Sequence, residues 1–213
     1  MRSPDSRLCG KKILVTGCGG PAGVAVVRAL SACGCIPIPA DCDPFAAGLH
    51  TGYRGHVLAA ADDARYCESL LSTAIAAGAD AVVVTVAEEL RCLAGSEPEF
   101  ARRGIAAWFP SFDAVEACLD KLLFAEQIER AEIPAPRTSA HGPADLPGPW
   151  IVKPRRGRGS RDVYSVDDPA DFPTLLRRVP DAIGQTRLSG REFTADCLVD
   201  RDGAVIATVP RWR

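Results

Sequence analysis

In the first half of this chain, uniformly apolar runs alternate with stretches long enough to be helices. Ile13-Leu14-Val15 and Ala81-Val82-Val83-Val84 leave neither face for water. Strands of that kind are buried on both sides, which is the habit of parallel sheets. Between them come a tight turn, Gly17-Cys18-Gly19-Gly20-Pro21-Ala22-Gly23, helical spacing over 24–32, a second strand over 35–40 and a short third strand over 56–60. A helix over 62–77 closes at Gly78, a residue suited to a C-cap. Residues 88–103 read as helical with interruptions near Gly95 and Pro98, and 105–109 as a last short strand. Strand–helix alternation predicts an α/β domain, with helices on both faces of a parallel sheet.

The rhythm changes after Pro110. Residues 112–130 read as one helix, which Ile133-Pro134-Ala135-Pro136 ends. A segment rich in Pro, Gly and Ala follows over 140–149. Strands are predicted over 150–153, 162–166, 182–188, 192–200 and 204–211, with a helix near 168–178. The turn Arg201-Asp202-Gly203 joins the last two strands. The expected organisation is a parallel-sheet domain over 1–110 and a smaller α+β lobe over 111–213. No internal repeat is present.

Composition removes several classes of function. A net charge of −2 leaves no footprint for nucleic acid, and the one basic cluster, residues 155–161, is too local to coat a groove. No apolar run approaches a membrane span, and the polar start Met1-Arg2-Ser3-Pro4-Asp5 reads as a frayed tail. The nine cysteines lack CxxC spacing and the three histidines are far apart, so no zinc pattern emerges. Small buried thiols in a reducing, cytoplasmic setting are expected.

The first turn carries an ambiguous message. Gly17-x-Gly19-x-x-Ala22 fits a dinucleotide fingerprint, and Thr16-Gly17-x-x-Gly20-x-x-Gly23 fits the short-chain dehydrogenase pattern. Both place glycines between a first strand and a helix N-terminus that favours anions. Asp41 and Asp43 stand where a ribose contact would be. An NAD(P)-binding protein is therefore an alternative. Against it, Tyr53, Tyr66 and Tyr164 have no lysine four residues later. A glycine turn also serves wherever a helix packs tightly on a strand.

Only four of the 25 Lys+Arg residues are lysine: Lys11, Lys12, Lys121 and Lys153. Lys153 ends the apolar strand Ile151-Val152-Lys153-Pro154, just before Arg155-Arg156-Gly157-Arg158-Gly159-Ser160. A compact charge beside a loop whose glycines expose backbone N–H groups suits a phosphate. The plainer alternative is a surface lysine and a basic turn. Lys121 opens a helix, where the macrodipole disfavours a cation, so a functional reason is expected there.

In order and spacing these motifs resemble the amino-terminal part of ATP-grasp enzymes, in particular the carbamoyl-phosphate-synthase-like carboxylate–amine ligases. The resemblance runs from Lys11 to Arg211. It implies a Rossmann-like pre-ATP-grasp domain and then a nucleotide-binding lobe. Asp120-Lys121 and Val152-Lys153-Pro154 would place two lysines on the phosphates of ATP. Gly157, Arg158, Gly159 and Ser160 would close over them. Gln185, where many members carry an acid, and the backbone of Leu188 would meet adenine; core packing is the plainer reading of Leu188. Glu192, in Gly190-Arg191-Glu192, would hold the ribose hydroxyls; its alternative is a solvated carboxylate, paired with Arg191. Glu88 and Glu89 would face a substrate, or else simply complement a helix N-terminus. Arg211 resembles an arginine that contacts an acyl phosphate or a substrate carboxylate.

The resemblance also implies Mg²⁺, held by carboxylates and an asparagine on late strands that do not occur before Arg213. This stretch alone is thus expected not to turn over, and any nucleotide it binds is expected to be ATP or ADP, its small-molecule carboxylate and amine partners belonging to the complete enzyme. A homodimer or a partner chain would supply the missing lobe. A nucleotide-binding or assembly module without chemistry of its own remains the other alternative.

Overall fold

β1 (Lys12–Val15) sends its apolar side chains to both faces of a sheet. Leu14 joins one buried cluster with Ile38, Leu70, Ala74 and Phe100, while Ile13 and Val15 join another with Val27 and Cys35. A strand with no wet face has to sit inside a sheet. In a computed structural model, which describes residues 7–142, 144, 146–157 and 159–212, β1 does so. The tail Met1-Arg2-Ser3-Pro4-Asp5 and Arg158 lie outside the described residues.

The chain divides into two compact units, Met1–Gln127 and Ile128–Arg213. In the first, α1 (Pro21–Ala32) follows β1 and leads to β2 (Ile36–Asp41). Then come β3 (His56–Val57), α2 (Tyr66–Ala77) and β4 (Ala81–Val83). The four strands form a sheet in the order β3-β2-β1-β4, every pairing parallel. The last strand expected, over 105–109, is reduced to a single parallel bridge between Ala81 and Ala106. α2 starts at Tyr66, later than its periodicity suggests, and ends as expected on Gly78 at φ 67°. The interrupted segment is two helices, α3 (Ala87–Leu93) and α4 (Glu97–Arg102), with Gly95 at φ 82° between them.

The helix expected over 112–130 is two helices, α5 (Phe112–Leu119) and α6 (Lys121–Arg130). Asp120 breaks it. Its backbone is extended, at φ −105° and ψ 106°, and its side chain is fully buried. Its Oδ1 accepts from the amides of Leu122 and Leu123, at 3.0 and 3.2 Å. A carboxylate that satisfies two N-terminal donors starts a new helix more readily than it continues an old one. The division between the units falls within α6.

The second unit holds β5 (Thr138–Ser139), β6 (Trp150–Pro154), β7 (Tyr164–Val166), α7 (Phe172–Arg178) and β8 (Ala182–Thr186). The strands form an antiparallel sheet in the order β5-β8-β6-β7. Trp150, Val152, Val166, Phe172 and Val179 make its core. The Trp150 indole, edge-on to Phe172 at 5.8 Å, donates to the Leu146 carbonyl at 3.0 Å. A buried ring N–H thereby finds its partner. β9 (Phe193–Val199) and β10 (Val205–Trp212) form a separate antiparallel hairpin around the expected turn, with Gly203 at φ 85°.

Candidate functional site

The first unit gathers its polar groups at the carboxyl ends of β1, β2 and β4, where open parallel sheets place ligands. The glycine turn is filled from within the protein. The Gly19 amide donates to Asp41 Oδ2 at 2.6 Å, and Asp41 Oδ1 accepts from the Asp43 amide at 2.9 Å. Asp43 in turn accepts from the Phe45 amide at 2.9 Å. A carboxylate thus sits where a pyrophosphate would have to approach, and like charges repel there. Gly23 has a packing role: a Cβ on it would lie 2.3 Å from the Gly17 carbonyl oxygen.

Glu88 and Glu89 open α3, as expected, and then diverge. Glu88 is half-buried. Glu89 turns inward and accepts from the Thr16 hydroxyl, whose oxygen also receives the Thr85 amide at 3.3 Å. Burial pushes the Glu89 carboxyl above its ordinary value; the hydrogen bond from Thr16 and the nearby Tyr66 hydroxyl oppose the shift, while the Asp41 and Glu88 charges add to it. Burial beside Glu89 also pushes the Tyr66 phenol upward. A carboxyl raised in the folded state binds its proton more tightly there than in the unfolded chain. Its contribution to stability is complete below the unfolded value and is lost as pH rises through the folded one. Glu89→Gln, which keeps a neutral acceptor, should therefore gain on the wild type as pH rises. Melting temperatures at pH 5 and pH 8 check this, and a difference between the two proteins that does not change with pH would contradict it.

In the second unit the geometry centres on Lys153, near the end of β6. β8 pairs with β6 on one side and β5 on the other. That sandwiching brings three side chains into a row. Lys153 Nζ donates to Gln185 Oε1 at 2.7 Å, and Gln185 Nε2 donates to Thr138 Oγ1 at 2.9 Å. The Thr138 contact fixes which way the Gln185 amide faces. The contact with Gln185 orients the ammonium through a charge-assisted hydrogen bond. Directly beyond β6, Gly157 and Gly159 have φ of 125° and 69°, and Ser160 has φ 55°. Arg158, expected in this loop, lies outside the described residues.

Leu188 is 69% exposed just beyond β8, so core packing, the plainer reading of it, does not hold. Glu192 is exposed immediately before β9. Arg191 stacks over the Trp212 ring at 4.1 Å. Arg211 pairs with Asp196 across the hairpin at 2.8 Å, with both side chains exposed. Lys121, in the first unit, begins α6 half-buried, and burial holds its amine below the ordinary lysine value. An ammonium short of water gains from a bound anion. Thr138 and Thr16 escaped sequence reasoning. Each acts through a partner at least 47 positions away, and no local pattern announces such a contact.

Residues 118–213 match the family model of the ATP-grasp domain. No curated protein sequence matches the chain. Among solved structures, the ADP complex of N5-carboxyaminoimidazole ribonucleotide synthetase superposes with a TM-score of 0.71 at 17% identity, over 95% of this chain and 53% of that one. The L-amino acid ligase of Bacillus licheniformis gives 0.69 at 17%, over 96% and 51%. The phosphoribosylglycinamide synthetase of Anaerococcus prevotii gives 0.60 at 15%, over 94% and 51%. The chain thus spans about half the length of these neighbours. The chain thus shares the fold of these structures over nearly its whole length, and its residues 118–213 are similar to the ATP-grasp domain.

Proposed function

We infer that this chain is the ATP-binding portion of an ATP-dependent ligase of the carbamoyl-phosphate-synthase-like, carboxylate–amine type, acting in the cytoplasm. The observation that carries the reading is Lys153, held by Gln185 and followed by a glycine loop, inside the segment that matches the ATP-grasp domain. Lys153 takes the phosphates, and the amides of Gly157, Gly159 and Ser160 approach them; Lys121, in the first unit, is assigned a phosphate contact as well. Gln185 and the Leu188 backbone receive adenine, and Glu192 receives the ribose hydroxyls. In the reaction a carboxylate oxygen attacks the γ-phosphorus and ADP leaves. An amine then attacks the acyl carbon, and phosphate leaves. Positioning and electrostatic stabilisation dominate such a transfer.

Glu88, at the mouth of the first unit's sheet, faces a substrate, and Arg211 contacts the acyl phosphate or the substrate carboxylate. Glu89 is bound to Thr16 and serves this role only through its neighbour. Among the described residues no cluster of three or more His, Cys, Asp or Glu side chains is placed to hold a metal ion, so Mg²⁺ is assigned to no residue here. No helix among the described residues is long and apolar enough to cross a membrane.

Calorimetric titration of the protein with ADP and with NADPH tests the reading. Saturable binding of ADP with no binding of NADPH is expected. NADPH binding in preference to ADP would return the first turn to the dinucleotide reading, although Asp41 already occupies it.

A further inference from the structure

Two cysteines meet where α2 packs against α3. Cys67 is the second residue of α2, and Cys92 is the last but one of α3. The Cys67 thiol donates to the Cys92 carbonyl oxygen at 3.0 Å, across a sequence separation of 25. Cys92 Sγ turns back along its own helix to the Glu89 carbonyl at 3.2 Å. Cys67 is half-buried and Cys92 exposed, so small reagents can reach the pair from solvent. Partial desolvation of its sulfur and the neighbouring Cys67 thiol also push the Cys92 thiol up, to about 12.

We propose that Cys67 and Cys92 are a redox modification site, and that a peroxide joins them in a reversible disulfide that fastens α3 to α2. The proposal does not depend on what nucleotide the second unit takes. One thiol reduces the peroxide and becomes a sulfenic acid, one water leaving. The other sulfur then attacks that sulfur, the S–S bond forms, and the hydroxyl leaves as a second water. Two thiols lose two protons and two electrons, and one peroxide is reduced to two waters. The Cys67 thiol already rests on the Cys92 backbone, so a turn of one side chain brings the second sulfur to the first and disulfide formation outruns further oxidation. The scarcity of thiolate at Cys92 sets the pace, because the thiolate is the nucleophile. The consequence is local and structural. α3 carries Glu88 and Glu89 in its first turn, so the bridge would anchor the far end of the helix that presents them at the sheet's carboxyl edge.

The sequence makes the test clean. Trypsin cleaves after Arg65, Arg91 and Arg102, which puts Cys67 and Cys92 in separate peptides with one cysteine each. The reduced full chain is treated with hydrogen peroxide, quenched in acid, alkylated, digested and analysed by tandem mass spectrometry. The expected product is peptide 66–91 joined to peptide 92–102. It should appear before other disulfides and disappear on treatment with dithiothreitol. Cys118→Ser should form the same link at the same rate. Recovery of Cys67 and Cys92 alkylated, or each as its own sulfinic acid, while other thiols pair, would overturn the proposal. The decisive result comes from the wild-type chain, so it does not hang on the folding of a variant.

Discussion

Lys153→Ala should bind ADP about 1.5–3 kcal/mol more weakly than the wild type, roughly a 10- to 150-fold rise in Kd. The effect is large because the ammonium is held in place before any ligand arrives. β6 pairs with β7 up to Val152, and Lys153 itself pairs with Ile183 of β8, so the lysine backbone has little freedom. Gln185 takes the ammonium at 2.7 Å and is itself fixed by Thr138. A preorganised charge costs little ordering when a phosphate binds, and more of the interaction appears as affinity. Thr138→Val tests the same chain of contacts one step back. It leaves the charge intact and releases the Gln185 amide, so its effect on ADP should run in the same direction and be smaller. Isothermal titration of the three proteins decides the matter. Equal affinities for wild type and Lys153→Ala would remove Lys153 from the phosphate site.

The parts of the fold that were legible in the sequence are those whose signal is local. Ile13-Leu14-Val15 has apolar residues on both faces, and the structure buries both. Gly78 and Gly203 sit at positive φ where a helix stops and a hairpin turns. Asp120 shows why neighbouring signals fail. Within an apolar periodic stretch an aspartate passes as one polar position of a helix. Only its burial and its two amide contacts reveal an end and a beginning. β5 has two residues, too few for any period to register. The candidate site divides in the same way. Lys121 and Lys153 stood out because lysine is rare in an arginine-rich chain. The orientation of Gln185 depends on β5 lying beside β8, which no sequence window contains. Glu88 and Glu89 are adjacent in sequence, yet Thr16, 73 positions before Glu89, draws the second one inside.

The first turn carries the other large expected effect, and it separates the two readings that its glycines allowed. Gly23→Ala should destabilise the protein by about 2–3 kcal/mol, whereas Gly19→Ala should cost less than about 1 kcal/mol. A methyl on Gly23 would stand 2.3 Å from the Gly17 oxygen, 2.7 Å from the Gly17 carbonyl carbon and 2.8 Å from the Cys18 Cα. These are backbone atoms at the hinge between β1 and α1. They can yield only by moving the helix off the sheet, and Val27 on that helix belongs to the buried cluster beneath it. A methyl on Gly19 would meet Asp41 Oδ2 at 3.1 Å and the Ala46 methyl at 3.2 Å. Both are side-chain atoms, and the aspartate can shift by a few tenths of an ångström. In a pyrophosphate-binding turn the weighting is reversed in function, because the second glycine is the one that lets the backbone approach the ligand. Here that approach is taken by Asp41, so the turn's glycines serve the packing of α1 on β1. Urea unfolding of the two variants measures the asymmetry. Equal losses at the two positions would mean that helix packing does not explain Gly23, and that the turn has been selected for something that binds there.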